Sequence, residues 1–137
     1  MTIEEFEKES TFKIGNKNTA FSKYFIGQSY LYPYGGVNGV NVANVTFEPG
    51  CRNNWHIHHK GGQILICIKG EGYYQEWGHE IRKLHEGDIV FIKPEVKHWH
   101  GATKDSYFSH LAIEVPAEGS TNERLEEVND NEYNRLN

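Results

Sequence analysis

An all-β fold, a sandwich or a closed barrel, is what this sequence predicts. Short runs rich in β-branched and aromatic residues recur along the chain, and Gly, Pro, Asn and Asp break them at regular intervals. Helical patterning is confined to the two ends. With 137 residues, 37% of them apolar and 13% aromatic, the chain is long enough to close one packed core and too short for a separate cofactor domain.

Taken in order, residues 3–9 read as a short helix. Extended segments follow at 22–32, 40–47, 54–58, 63–69, 72–76, 81–84, 88–92, 97–102 and 107–115. Reversals are assigned to Gly35-Gly36, Asn38-Gly39, Pro49-Gly50, Gly61-Gly62, the 70–72 run, Trp77-Gly78, Glu86-Gly87-Asp88 and Pro94, all turn-forming residue types. A turn or two of helix is expected over 129–136, with Asn129 or Asp130 as its cap. The acidic stretch 118–130 reads as a solvated tail or, in a dimer, as a segment lying across the partner. Ile64, Leu65, Ile66 and Ile68 put apolar groups on both faces of one strand, as expected of a central barrel strand or a dimer interface. Trp55, Trp77 and Trp99 are read as packing residues.

Fourteen basic against nineteen acidic side chains leave a net charge of −5, which gives no electrostatic basis for binding nucleic acid or an anionic membrane surface. A small-molecule substrate is the expected partner. No apolar run approaches the length of a membrane span, and the acidic first ten residues lack the basic and apolar regions of a signal peptide, so the expected location is cytoplasmic. The two cysteines, Cys51 and Cys67, are too few for a disulfide framework and are read as reduced thiols.

Eight histidines are present, and five fall in strands: His56, His58, His98, His100 and His110. Residues two apart in a strand point to one face, so His56 and His58 project together, as do His98 and His100. A single His-x-His pair arises by chance about 0.5 times at this composition, so the surrounding residues decide its meaning. Gly50, His56-Ile57-His58, Gln63 and Gly70 form one frame. Gly87-Asp88, the apolar run 89–92, Lys93-Pro94 and His98 form a second. His59, His79 and His85 fall in predicted loops and read as solvated.

The two frames resemble the paired motifs of the cupin superfamily over about residues 40–115. The fold this implies is a double-stranded β-helix, the cupin jelly-roll barrel, with short terminal helical segments. An N-terminal extension (1–20) and a C-terminal tail (116–137) complete a single domain of 1–137. Carried over residue by residue, the resemblance implies His56, His58, Gln63 and His98 as ligands of one divalent transition metal, manganese or iron ahead of zinc, nickel or cobalt. Gln63 stands where a glutamate is common, and a neutral carbonyl there leaves the metal with more positive charge. The strings Asn54-Trp55-His56-Ile57-His58, Gly61-Gly62-Gln63-Ile64-Leu65 and Lys97-His98-Trp99-His100-Gly101, with Asn122-Glu123 and Glu132-Tyr133-Asn134, are similar to small bacterial cupins that include manganese-dependent hydroxynitrile lyases. The 59–62 loop is one residue longer than in that group.

That resemblance implies lyase chemistry on a small hydroxyl or carbonyl compound, with His110 as proton acceptor and His100 as its orienting or proton-sharing partner. Ala43, Val45 and Phe47 share a strand face and are expected to wall the substrate pocket, with Glu114 at its edge as a further base or a rim residue. Lys97 is expected to point outward. A non-haem iron dioxygenase and a non-catalytic binding module are the competing readings, and homodimerisation through exposed strand edges is expected.

Overall fold

The structure, a computed structural model, describes residues 1–136. Alternating burial along the strands builds two antiparallel sheets that pack inner face to inner face. One has six strands in the order β1-β3-β4-β12-β7-β10, comprising Asn16–Lys17, Ser29–Val37, Val40–Phe47, Phe108–Val115, Gly62–Gly70 and Ile89–Ile92. The other follows the path β13-β6-β11-β5-β2, comprising Thr121–Arg124, His56–His59, His98–Ala102, Arg52–Asn53 and Phe25–Ile26. In it β8 (Gly72–Glu76) pairs with β11, and β9 (Arg82–Leu84) pairs with β8. Strands distant in sequence are neighbours in both sheets, the connectivity of a jelly roll. Phe47, Leu65, Leu84 and Phe108 are fully buried in the core.

The expected strand 22–32 is not continuous. A 3-10 turn occupies Ser22–Tyr24, β2 pairs with β5 in one sheet, and β3 pairs with β4 in the other. The crossing occurs at Gly27, whose φ of +90° suits glycine and where a Cβ would lie 3.0 Å from Cys51. Gly35-Gly36 also departs from expectation: both glycines stay within β3, beside a register irregularity between Pro33 and Gly35. The chain reverses instead at Asn38-Gly39, both at positive φ, the pair suited to a tight two-residue hairpin. The expected 54–58 strand starts only at His56, as β6, and a separate short strand, β5, precedes it at Arg52–Asn53. Between them, the Trp55 N–H donates to Glu126 and its carbonyl accepts from Leu125.

The terminal segments close the roll. Helix α1 (Ile3–Lys8) starts at a capping box in which Thr2 and Glu5 exchange hydrogen bonds of 2.9 and 3.2 Å. Phe6 and Ile14 then pack with Tyr30, and Asn44 donates to the Lys13 carbonyl at 2.8 Å. At the other end Asn129 caps α2 (Asp130–Asn134). Arg52 donates to the Val128 carbonyl and to Asp130, lying 4.4 Å from the Tyr133 ring centre. The 118–130 stretch is not simply a solvated tail: residues 121–124 form β13 alongside β6. Acidic composition around it hid a short strand whose outward positions, Thr121 and Glu123, are polar. Trp55 and Trp99 are buried, whereas Trp77 is 56% exposed, with the Lys97 ammonium 3.6 Å from its ring centre. No helix is long and apolar enough to cross a membrane among the described residues.

Candidate metal centre

Strands β6 and β11 carry the histidine pairs, and their register sets His98 opposite His56. Alternation then turns His56, His58, His98 and His100 into the roll, each of them no more than 5% exposed. His56, His98 and His100 offer ring nitrogens that all lie within 4.8 Å of one another, a group able to hold a metal ion. The His58 ring centre is 5.3 Å from that of His56 and 5.1 Å from that of His98.

Hydrogen bonds distinguish these rings. The Nδ1 atoms of His56, His58 and His98 face oxygen acceptors: the Asn54 carbonyl at 2.7 Å, Asn122 Oδ1 at 2.7 Å and the Val96 carbonyl at 2.8 Å. Oxygen can only accept here, so each Nδ1 carries the proton and each Nε2 keeps its lone pair. The Nε2 atoms of His58 and His98 are buried without a partner. Buried polar atoms are nearly always satisfied, and three imidazoles with free Nε2 lone pairs, held from behind by oxygen, are what a divalent transition metal takes. The donor set therefore fits a metal. His100 differs: the Asn53 amide nitrogen lies 3.2 Å from its Nε2 and 3.3 Å from its Nδ1, and Asn53 Oδ1 accepts its backbone N–H at 2.9 Å.

Burial favours the neutral form of His56, His98, His100 and His110. It lowers His98 and His110 to about 4, with nearby backbone acting weakly in the opposite direction. His56 and His100 lie well below the ordinary imidazole value, held there by burial and then by His98 and His110 respectively. His110 stands 4.8 Å from His100 between ring centres, and both of its ring nitrogens are buried without partners. A neutral imidazole needs one donor and one acceptor satisfied, so a ligand entering the cavity would meet both needs.

The cavity, about 140 Å³, opens beside these rings. A cavity of about that size elsewhere accommodates benzene, which sets the scale of the ligand. Val45 and Glu114 line it together with Gln63, His56, His58, His100 and His110. Phe47 lies behind the lining, 5.6 and 5.8 Å from the His110 and His100 ring centres, and Ala43 sits further along β4, opposite Ala112. Gln63 faces Glu114 directly across β7 and β12, and its amide nitrogen donates to Glu114 Oε1 at 2.8 Å. That bond fixes which way the amide points, leaving its oxygen unoccupied by Glu114.

Several lining residues escape a reading of sequence pattern alone. Asn53, Asn122 and Arg124 enter from β5 and β13, while Asn18, Phe21 and Phe25 come from the N-terminal part of the chain. Asn122 and Arg124 are two apart and lie opposite His58 and His56 in the β13–β6 register. Their alternation with Thr121 and Glu123 was the available signal.

Fold and histidine arrangement together define a cupin. The chain belongs to that family: the model described as a cupin domain matches residues 43–114. Among curated proteins, an (R)-mandelonitrile lyase from Granulicella tundricola is 43% identical over 93 residues, covering 68% of this chain and 70% of the relative. A cupin-like protein from Thermotoga maritima superposes with a TM-score of 0.84 at 39% identity, covering 93% of this chain and 96% of that one. A predicted oxalate decarboxylase from the same organism reaches a TM-score of 0.68 at 18% identity, over 81% of this chain and 96% of the other, a likeness of fold alone.

Proposed function

We propose that this chain is a metal-dependent lyase acting on a small hydroxyl or carbonyl compound in the manner of a hydroxynitrile lyase, with His56, His58, Gln63 and His98 as metal ligands. One observation carries the reading: three inward imidazoles have Nδ1 committed to oxygen, and a fully buried, unpartnered His110 stands beside the same cavity. The relative named a mandelonitrile lyase supports the choice of chemistry. Manganese or iron would supply a Lewis acid that makes a hydroxyl easier to deprotonate. The chain does the rest: His110 accepts the hydroxyl proton at a ring nitrogen, and His100, fixed by Asn53, borders it and limits its rotation. Phe47 backs both rings, and Val45 walls the space the aldehyde product occupies.

Mandelonitrile cleavage by protein purified without chelator, with elemental analysis of the bound metal, tests this reading. His110→Ala is expected to retain its metal and lose about 100-fold or more of cyanide release. Full turnover in the variant, zinc with no turnover, or iron with oxygen uptake would each overturn the reading. Glu114 is assigned a positioning role through Gln63. Glu114→Leu is expected to weaken manganese binding by about tenfold in a calorimetric titration, whereas Glu114→Gln, which keeps an acceptor oxygen, loses less.

The same reading takes the protein to act in the cytoplasm as a homodimer. Support for a second copy comes from the outer face of the six-stranded sheet, where exposed Phe91 and Ile89 lie beside half-buried Ile64 and Ile66. Phe91→Glu is expected to convert the dimer to a monomer in light scattering, with the fold retained; an unchanged mass would place the contact elsewhere.

A further inference from the structure

Arg124 is a cavity residue with no assigned task. It lies opposite His56 across β13 and β6, two residues beyond Asn122, and it lines the cavity with the histidines. Its guanidinium is stacked on aromatic rings, 4.8 Å from the centre of Tyr24 and 5.7 Å from that of Phe21. No carboxylate among the described residues comes within ion-pairing distance of it. Glu114 is the acid whose charge reaches it, and that carboxylate is already hydrogen-bonded to Gln63. Burial works against its charge.

A half-buried arginine normally has its planar fork of donors answered by an anion or by carbonyls. Here the aromatic contacts hold the guanidinium in the cavity lining, with no side-chain acceptor bonded to it among the described residues. Among the acidic side chains, Glu114 alone lines the cavity, so it is the one negative charge set against Arg124 and any bound cation. A nitrile offers a guanidinium a single weak acceptor, whereas a carboxylate accepts two parallel hydrogen bonds.

We propose that the cavity binds small 2-hydroxy or 2-oxo carboxylates, with Arg124 holding the carboxylate while the hydroxyl or carbonyl oxygen is turned toward the histidines. The inference rests on the lyase reading for the location of the site and replaces its neutral cyanohydrin with an anionic substrate class. Arg124 is thus a specificity residue.

Calorimetric titration of mandelate and of mandelamide, its neutral counterpart, into metal-free and manganese-loaded protein tests it. Mandelate is expected to bind at least about tenfold more tightly than mandelamide in both forms. Arg124→Gln is expected to erase that preference and leave mandelamide binding unchanged. Arg124→Lys keeps the charge without the fork and is expected to weaken mandelate several-fold, which decides the matter should the glutamine variant fail to fold. Equal affinities in the parent protein, or full mandelate affinity in the variants, would overturn the proposal. Absence of metal uptake by the parent protein would sink the lyase reading instead, and the metal-free titration would still judge the carboxylate site on its own.

Discussion

Replacing His98 with alanine is expected to leave the protein folded but unable to take up a metal, and so to abolish the proposed lyase activity. His98 is fully buried, its Nδ1 is fixed by the Val96 carbonyl, and its Nε2 points inward with no protein partner. Loss of supporting groups around a metal typically costs 10–100-fold in affinity, so loss of a ligand should exceed about 100-fold. Elemental analysis after gel filtration reads the metal directly, and circular dichroism separates a lost ligand from a lost fold. An alanine variant that retains full metal would remove His98 from the centre and overturn the proposed ligand set of His56, His58, Gln63 and His98.

Acid is expected to destabilise the metal-free protein steeply between about pH 6.5 and pH 4. His98 and His110 titrate near 4 in the folded state against 6.5 when unfolded, so unfolding takes up protons in that window. Stability is fully present above pH 6.5, falls as the pH drops, and levels off below about 4. For a shift of that size each ring costs about 2 kcal/mol by pH 5. His56 and His100, lowered in the same direction, add to the loss. Set against a total stability of about 5–15 kcal/mol for a typical domain, that is enough to move the melting temperature markedly. His59 has the opposite sign: Glu123 and Glu95 raise it, so its small, solvent-screened contribution grows on acidification. Thermal melts in chelator at pH 7 and pH 5 check the slope, and His110→Gln should reduce it. A flat profile would mean that these rings are not held neutral.

The histidine pairs were legible because a strand repeats every two residues, and that rule needs no knowledge of the partner strand. His56 with His58 and His98 with His100 therefore share faces in the sequence as they do in the fold. What holds them was not legible. Asn122 bonds His58 from 64 residues away, and Asn53 lay outside every expected strand, one residue before the segment expected to start at Asn54. Non-local pairing decides such contacts, and composition pointed the wrong way at 118–130, where glutamates on the outer face concealed the inward Asn122 and Arg124. Gly27 offered a local sign that the 22–32 strand would break, yet only its approach to Cys51 explains why glycine is required there. The C-terminal helix was readable from its cap, which Asn129 supplies and not Asp130, whereas the Thr2–Glu5 capping box of the first helix went unread.

The acceptor that sets the His58 tautomer arrives on β13, near the end of the chain. During synthesis the earlier histidines emerge long before Asn122, so the growing polypeptide offers any passing cation only a half-built grip. The full grip is consequently a property of the completed chain, and a product cut short by twenty residues would lack both the oxygen that fixes the His58 ring and the Tyr133 that packs beneath Trp99.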